Sequence, residues 1–548
     1  MIKKIISIFL LIIISSFIFA QIKENVGIFP ISYFEKNNNI DNIIIPPPAK
    51  SLIFFDDEFD FYKIGTLIST NITVTNSGAY TQTKNKKKWN IKISCKNAVG
   101  LSLHFNYFNL QDNSEFFVYN SDYSQILGPF SKQDNISGMG YSIGIISGEE
   151  IYIEYNIPIE NDFSENDFQI SALAYIYRNE KNQNKELGFG SSENCNVNIN
   201  CSEGNNFRNQ QKGIARIYVV DGSSVGYCTG SLVNNTSNNG LPYFLTAQHC
   251  AKYASETDFQ QWRFDFNYES SNCNSPSTEP SKISFSGCQK IAEASIEGGS
   301  DFLLVKITNI SQTQIKNSHL VFNGWNLIEN ASNSGICINH PRGDIKKIST
   351  YNSTPVSATF QNPEVTAMTN AHWKLVWTQT SNGHGVTDIG SSGSPLFDNN
   401  GLIIGTLSGG NSTCLNTEAY DYFGKIFFHW NQNSNDSVSQ LKYWLDPNNT
   451  NSNSCNFLLA DNINFVDNIN SDNFKIFPNP NNGFFKITLP DNEKYNLTIY
   501  DINGKLIKTE NKITADFSID MTKYNSGSYF MKLENIIKVY HTKILIIK

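Results

Sequence analysis

Short apolar runs that alternate with polar residues, and that stop at Gly, Asn or Asp, recur along almost the whole chain. WNIKISC (89–95), LSLHFNYF (101–108), EFFVYN (115–120), EEIYIEYNI (149–157) and FQISALAYIYR (168–178) form the first set. A period of two sends alternate side chains to one face, so these runs read as short strands of a β-sandwich. The pattern resumes at Cys195 and continues to about Pro447, ending in one helical stretch, SVSQLKYWLD (437–446), where Leu441, Trp444 and Leu445 share a face. Phe474–Lys548 reads as a third, smaller β unit, with Asn503-Gly504 as a hairpin turn between two apolar runs. An all-β fold is expected, and 548 residues are too many for one ordinary domain.

The first residues, MIKKIISIFLLIIISSFIFAQ, place two lysines ahead of an apolar run and end it at Phe19-Ala20. This reads as a secretory signal peptide over 1–20, and no later segment has the apolar length of a membrane span. In an exported chain the ten cysteines are expected as disulfide partners, and no CxxC pair suggests zinc. A net charge of −8 excludes a strongly basic nucleic-acid binder. The polar stretch NEKNQNKELGFGSSEN (179–194) reads as an exposed linker, and NNTNSNSCN (448–456) as a second linker, polar and turn-rich.

LPYFLTAQHC (241–250) drives an apolar strand into a turn that ends on His249 beside Cys250. Such a histidine is either a packed core residue or a rigidly held base. A base needs a nucleophile in a tight glycine turn, and GVTDIGSSGSPLFD (385–398) offers Ser392 between Ser391 and Gly393. There the N–H groups of Gly390 and Ser392 would form an oxyanion hole; as a plain structural loop the stretch would do neither. A third group must orient the histidine. Asp301, at the mouth of the strand FLLV, is either that carboxylate or a strand cap. The order His249, Asp301, Ser392 is that of the double-barrel serine proteases rather than the α/β-hydrolases.

CTGSLVNNTSNNGLPYFLTAQHC, SDFLLVKI, GVTDIGSSGSPLFD, YDYFGKIFFHW and LKYWLDP together resemble the bacterial lysyl endopeptidases, secreted trypsin-like serine proteases, over roughly residues 190–447. The resemblance implies a chymotrypsin-like double β-barrel with His249 as general base, Asp301 as its orienting carboxylate and Ser392 as nucleophile. It implies the disulfides Cys228–Cys250, Cys195–Cys414 and Cys201–Cys273. Cys288 and Cys337 have no assigned counterpart and form either a fourth bridge or free thiols. Cys95 is expected as a buried thiol, and Cys455 is left unassigned. Asp421 in YDYFGK falls where the family keeps the acidic residue that holds the substrate's lysine; the plain alternative is a solvated turn aspartate. Val386 stands where trypsin holds its own pocket aspartate.

Two departures from the related patterns stand out. Ser391 replaces the aspartate that in trypsin pairs with the new amino terminus, although a serine is normal in the bacterial family. Ser408 stands where the lysyl endopeptidase has a histidine, and the tryptophan that partners it there has no match around Thr366–Asn370. His340 and His384 read as loop or packing residues.

The flanking units follow by resemblance. Residues 21–187 look like a β-rich propeptide, cut near Lys181 or Lys185. Residues 188–460 are the protease domain and 461–473 a linker. Residues 474–548, with FPNPNNG and SGSYFMKL, are similar to the type A sorting domains of type IX secretion, again a small β-sandwich. The expected protein is a monomeric, secreted serine endopeptidase cutting after Lys, with Arg also admitted. Its expected partners are peptide or protein substrates and the type IX machinery, with no metal or organic cofactor, nucleic acid or membrane span. A same-fold protease of other specificity and an inactive protease-like surface-binding module are the alternatives.

Overall fold

The computed structural model describes residues 27–35, 40–53, 61–134, 140–178, 188–463, 475–489, 494–501, 505–514, 517–534 and 539–548. The signal segment, both candidate cleavage lysines, the Asn503-Gly504 turn and most of the 461–473 linker lie outside them. The chain divides into two compact units, Met1–Asn462 and Ile463–Lys548.

The first unit begins with two facing sheets. One contains Asp41–Ile45, Lys86–Cys95, Glu150–Pro158, Glu115–Tyr119 and Ile126–Phe130; the other is built on Tyr62–Thr73, Phe168–Ile176 and Gly100–Phe108. The alternation read from the sequence sends Trp89, Ile91, Ile93, Leu103, Phe105, Phe116 and Phe168 into one shared core. Each such side chain contributes roughly 1.5–3 kcal/mol by leaving water.

Two barrel-like sheets follow, the double barrel expected from the motifs. The first carries Ile214–Asp221, Ser224–Leu232, Tyr243–Thr246, Arg263–Phe266, Ile283–Ser286, Cys288–Ala294 and Phe302–Ile307; the second is built on Gly335–Asn339, Lys347–Tyr351, His372–Leu375, Pro395–Asp398, Ile403–Gly410 and Asp421–Lys425. One apolar cluster joins them, with Ile214, Leu245 and Leu304 from the first against Ile338, Phe397 and Ile403 from the second. The sandwich and the first barrel share a twelve-stranded sheet, because Tyr62–Thr66 pairs antiparallel with the edge Ser224–Tyr227.

Several expectations need correction. The helical stretch near 440 shrinks to Lys442–Leu445, preceded by a short 3₁₀ turn, although Leu441 and Leu445 do face the core. The second half of the 179–194 linker is seated rather than exposed, with Phe189 and Ser191 both buried. The turn-rich linker 448–456 is tied down at both ends: Asp446 accepts from the N–H groups of Thr450 and Asn451, and Ser454-Cys455 pairs with Trp325-Asn326.

The second unit has a three-stranded sheet (Lys475–Phe477, Phe484–Thr488, Phe517–Asp520) and a four-stranded one (Tyr495–Tyr500, Leu506–Ile513, Gly527–Glu534, Val539–Ile546). Phe485, Ile487, Leu497, Ile499 and Leu533 form its core.

Candidate active site

Strands Tyr243–Thr246 and Phe302–Ile307 run antiparallel with Thr246 opposite Leu303. The exit of one and the entry of the other therefore lie at the same end of the first barrel. Thr246 leads into the turn Gln248–Ala251, which carries His249, and Asp301 stands directly before Phe302. Nδ1 of His249 lies 2.8 Å from Oδ2 of Asp301, and the His249 main-chain N–H donates to Oδ1 at 3.1 Å. A plain strand cap would not direct both carboxylate oxygens at one histidine. Asp301 is fully buried with φ 62°, a conformation that costs a non-glycine residue about 1–3 kcal/mol. Burial pushes its carboxyl up, but the His249 charge and hydrogen bonds from His249 and Ser408 outweigh that and hold it below its ordinary value.

Ser408 extends this network. Its hydroxyl donates to the Asp301 carboxylate, so its oxygen takes the hydrogen bond from Nε2 of His372 at 3.1 Å. His372 is completely buried, and desolvation pushes it down to about 4, against the pull of Asp301. Where the resemblance expects a histidine, Ser408 thus meets a histidine from two strands away, across Asp421–Lys425. The sequence reading missed it: the alternation in AHWKLVW puts Trp373, Leu375 and Trp377 on one apolar face and His372 on the other, with Lys374.

Ser392 comes from the second barrel, in the turn before strand Pro395–Asp398. Its carbonyl accepts from Thr229 N at 2.9 Å, and Cys250 Sγ, disulfide-bonded to Cys228, lies 3.9 Å from that oxygen. These contacts bring the Ser392 turn against the histidine turn across the barrel junction. Gly390 has φ 87° and Gly393 φ 80°. A Cβ at Gly393 would stand 2.1 Å from Thr246 Oγ1, so the turn has room only for glycine there. Among the described residues no acceptor is bonded to the N–H of Gly390 or of Ser392. Two unpaired N–H groups beside a partly buried serine are what an oxyanion needs.

Asp421 is 1% exposed, which excludes the solvated turn aspartate. Its Oδ2 accepts from Trp377 Nε1 at 2.6 Å, Thr387 Oγ1 at 2.6 Å and Ser412 Oγ at 2.5 Å, while Oδ1 accepts from Ser412 N at 3.2 Å. Strand pairing sets it opposite Gly410 and Leu375. Thr387 and the buried Val386 lie on the segment that leads to Ser392, so the carboxylate sits under that segment. Burial pushes the carboxyl up and these donors pull it back only in part.

The structure contains Cys195–Cys414, Cys201–Cys273 and Cys228–Cys250. Cys288 and Cys337 are both buried and free, so they form no fourth bridge; Cys95 and Cys455 are likewise buried thiols. His340 is buried, with Nδ1 2.8 Å from Asp344 O and its ring stacked on Tyr268, a packing role. Among the described residues no group of three or more His, Cys, Asp or Glu is arranged to hold a metal ion, and no helix is long and apolar enough to cross a membrane.

Two stretches of the chain match known family models. Residues 189–424 match the lysyl endopeptidase C-terminal domain. Residues 475–548 match the secretion system C-terminal sorting domain. The resemblance read from the motifs holds over these two stretches. A curated lysyl endopeptidase from Pseudomonas aeruginosa is 25% identical over 291 residues, covering 51% of this chain and 59% of its own length. This chain thus spans under two thirds of that relative. Among solved structures, the thermostable serine protease AL20 from an extremophilic microorganism is 13% identical with a TM-score of 0.28, covering 39% of this chain and 91% of that one. The protease Anisep from Arthrobacter nicotinovorans is 18% identical with a TM-score of 0.27, covering 39% and 90%.

Proposed function

We propose that the chain is a secreted serine endopeptidase that hydrolyses peptide bonds after lysine. The observation that carries this reading is a single constellation: His249 bonded through its ring and its main chain to a buried Asp301, facing a Ser392 turn with two unpaired N–H groups. In this reading Ser392 Oγ attacks the carbonyl carbon while His249 takes its proton. The N–H groups of Gly390 and Ser392 receive the oxyanion. His249 returns the proton to the leaving amine, and water then hydrolyses the acyl-enzyme by the same route. Asp301 remains ionised throughout, and Ser408 and His372 keep it oriented.

Asp421 supports the lysine preference. A compact ammonium suits a carboxylate whose other lone pairs are already taken by Trp377, Thr387 and Ser412, since it needs one oxygen rather than a paired fork. Gly409-Gly410 pairs on one side with Asp421-Tyr422, which leaves its other side for an extended peptide to join as a further strand.

Residues 21–187 act in this reading as a propeptide. Their strand Tyr62–Thr66 occupies the Ser224–Tyr227 edge, two residues ahead of the Thr229 that holds Ser392. The carboxyl-terminal domain directs export through the type IX machinery. Matched peptide amides with Lys, Arg, Glu or Leu before the scissile bond test the reading on matured protein. Cleavage confined to Lys, abolished by Ser392→Ala and lowered on the order of 100-fold or more by Asp421→Asn, is expected. Arg or Leu cleavage that survives Asp421→Asn would discard the lysine pocket; no cleavage of any amide would discard the enzyme.

A further inference from the structure

The loop His340–Asp344 packs under the turn that carries the two unpaired N–H groups. Arg342 in this loop has φ 52°, a left-handed conformation in a residue with a long side chain. Its main chain and its guanidinium hold the same turn from two directions. Arg342 N donates to Ile389 O at 2.5 Å, and Nε donates to Asp388 Oδ2 at 2.7 Å. The other oxygen of Asp388 accepts from Ile389 N at 2.8 Å, and Asp388 O accepts from Ser391 N at 2.9 Å.

Ile389 C=O and Gly390 N–H belong to one planar peptide and point in opposite directions. Anchoring the oxygen on Arg342 therefore aims the Gly390 hydrogen away from Arg342, and no acceptor among the described residues takes it. The next peptide is pinned as well, because Gly390 O accepts from Thr229 Oγ1 at 2.9 Å. A Cβ on Gly390 would meet the N atoms of Arg342 and Gly343 at 3.0 Å each, so the close approach depends on glycine.

The same loop holds the chain just past the expected maturation site. Arg342 Nη1 lies 3.1 Å from Glu193 Oε1. Asp344 Oδ1 accepts from Gly190 N at 2.7 Å, Asp344 Oδ2 accepts from Ser192 N at 3.2 Å, and Ser191 Oγ donates to Arg342 O at 3.1 Å.

The geometry points to Arg342 as a positioning residue for the oxyanion site: with Asp388 it fixes the Ile389–Gly390 peptide so that the Gly390 N–H faces the reacting carbonyl, and Glu193 joins that clamp to the segment after the linker. This inference rests on the hydrolase reading above. Its consequence is that the oxyanion site is held by a guanidinium from the His340–Asp344 loop, the same loop that seats Gly190–Glu193.

The test uses matured enzyme. Arg342→Gly keeps the N–H and tolerates φ 52° but removes the guanidinium; Arg342→Lys keeps the charge without the fork; Asp388→Asn removes the other partner's charge. Active sites are counted by fluorophosphonate labelling of Ser392, so that unfolded molecules do not enter kcat. Arg342→Gly is expected to lower kcat about 10- to 100-fold with KM changed less than about threefold, short of the 100- to 1,000-fold loss from deleting an oxyanion donor. A peptide aldehyde, whose adduct carries the oxyanion, should lose affinity by the same factor, while a product peptide should not. Asp388→Asn should match Arg342→Gly, the double variant should lose no more, and Arg342→Lys should recover part of kcat. Labelled Arg342→Gly with kcat and aldehyde affinity within twofold of wild type would overturn the clamp alone. Wild type that cuts no amide and does not label at Ser392 would overturn the hydrolase reading and the clamp with it.

Discussion

The sandwich and the double barrel share one continuous sheet, yet they bury different things. The sandwich fills its core with rings set edge to face: Phe105 on Phe108 at 4.9 Å, Phe116 on Phe168 at 5.2 Å, Trp89 on Phe168 at 5.3 Å. Its one cysteine is free, and no disulfide spans it among the described residues. The double barrel instead buries a polar file, from His249 through Asp301 and Ser408 to His372, and carries three disulfides around it. Buried polar atoms cost free energy unless every member is bonded, so the file gains function rather than stability. Ring packing gains stability and leaves the surface chemistry plain. The difference separates a region built to hold a shape from one built to hold a charge.

Breaking the polar file should have the largest effect on activity and a small one on folding. Asp301→Asn keeps the size of the side chain but removes the charge and favours the wrong histidine tautomer. An activity loss of about 10⁴-fold in kcat is expected, with the melting temperature little changed. A kcat within tenfold of wild type would show that Asp301 is only the strand cap.

The converse change belongs in the sandwich. Phe116→Ala opens a hole where five rings meet its own and should cost the precursor about 3–5 kcal/mol in denaturant unfolding. Measured in a Ser392→Ala background, which keeps the precursor uncut, the loss should fall on the transition that reports the sandwich. Once matured, Phe116→Ala and wild type should share one kcat. A matching loss of kcat would mean that the two regions are not separable in the way their cores suggest.

Much of this division was legible in the chain. Alternation over WNIKISC and LSLHFNYF marked the sandwich strands because each run has one apolar face, although the polar side of the second, Ser102 and His104, is buried as well. The pairing of His249 with Asp301 and the glycine turn at Ser392 were legible because their residue types and glycines stand out from a plain loop. What escaped were contacts between segments distant in sequence. His372 lies 36 residues from Ser408, and nothing local marks the pair. The seating of Gly188–Glu193 depends on Asp344 and Arg342, more than a hundred residues on, so a polar composition read as an exposed linker. The free state of Cys288 and Cys337 is a matter of distance in the fold, which cysteine counting does not give.

The smallest expected effect lies where the two regions meet. His104, on strand Gly100–Phe108, is fully buried against the first barrel, where its Nδ1 meets Gln261 Oε1 and its Nε2 lies 3.2 Å from the Tyr218 hydroxyl. Desolvation pushes it down to about 4, with Arg263 adding to the shift and the Gln261 bond opposing it. The unfolded chain binds a proton at this histidine below about pH 6.5, whereas the folded chain does not until about pH 4. Stability from this group is therefore complete above pH 6.5 and declines as pH falls, by up to about 3 kcal/mol at pH 4. In the uncut Ser392→Ala precursor, His104→Gln should flatten the fall in unfolding free energy between those two pH values. His372, also pushed down to about 4, would keep its own share of the slope in both proteins, so their difference isolates the junction. Parallel curves for the two precursors would show that His104 titrates freely and that the shared sheet is less tightly closed than its strand pairing requires.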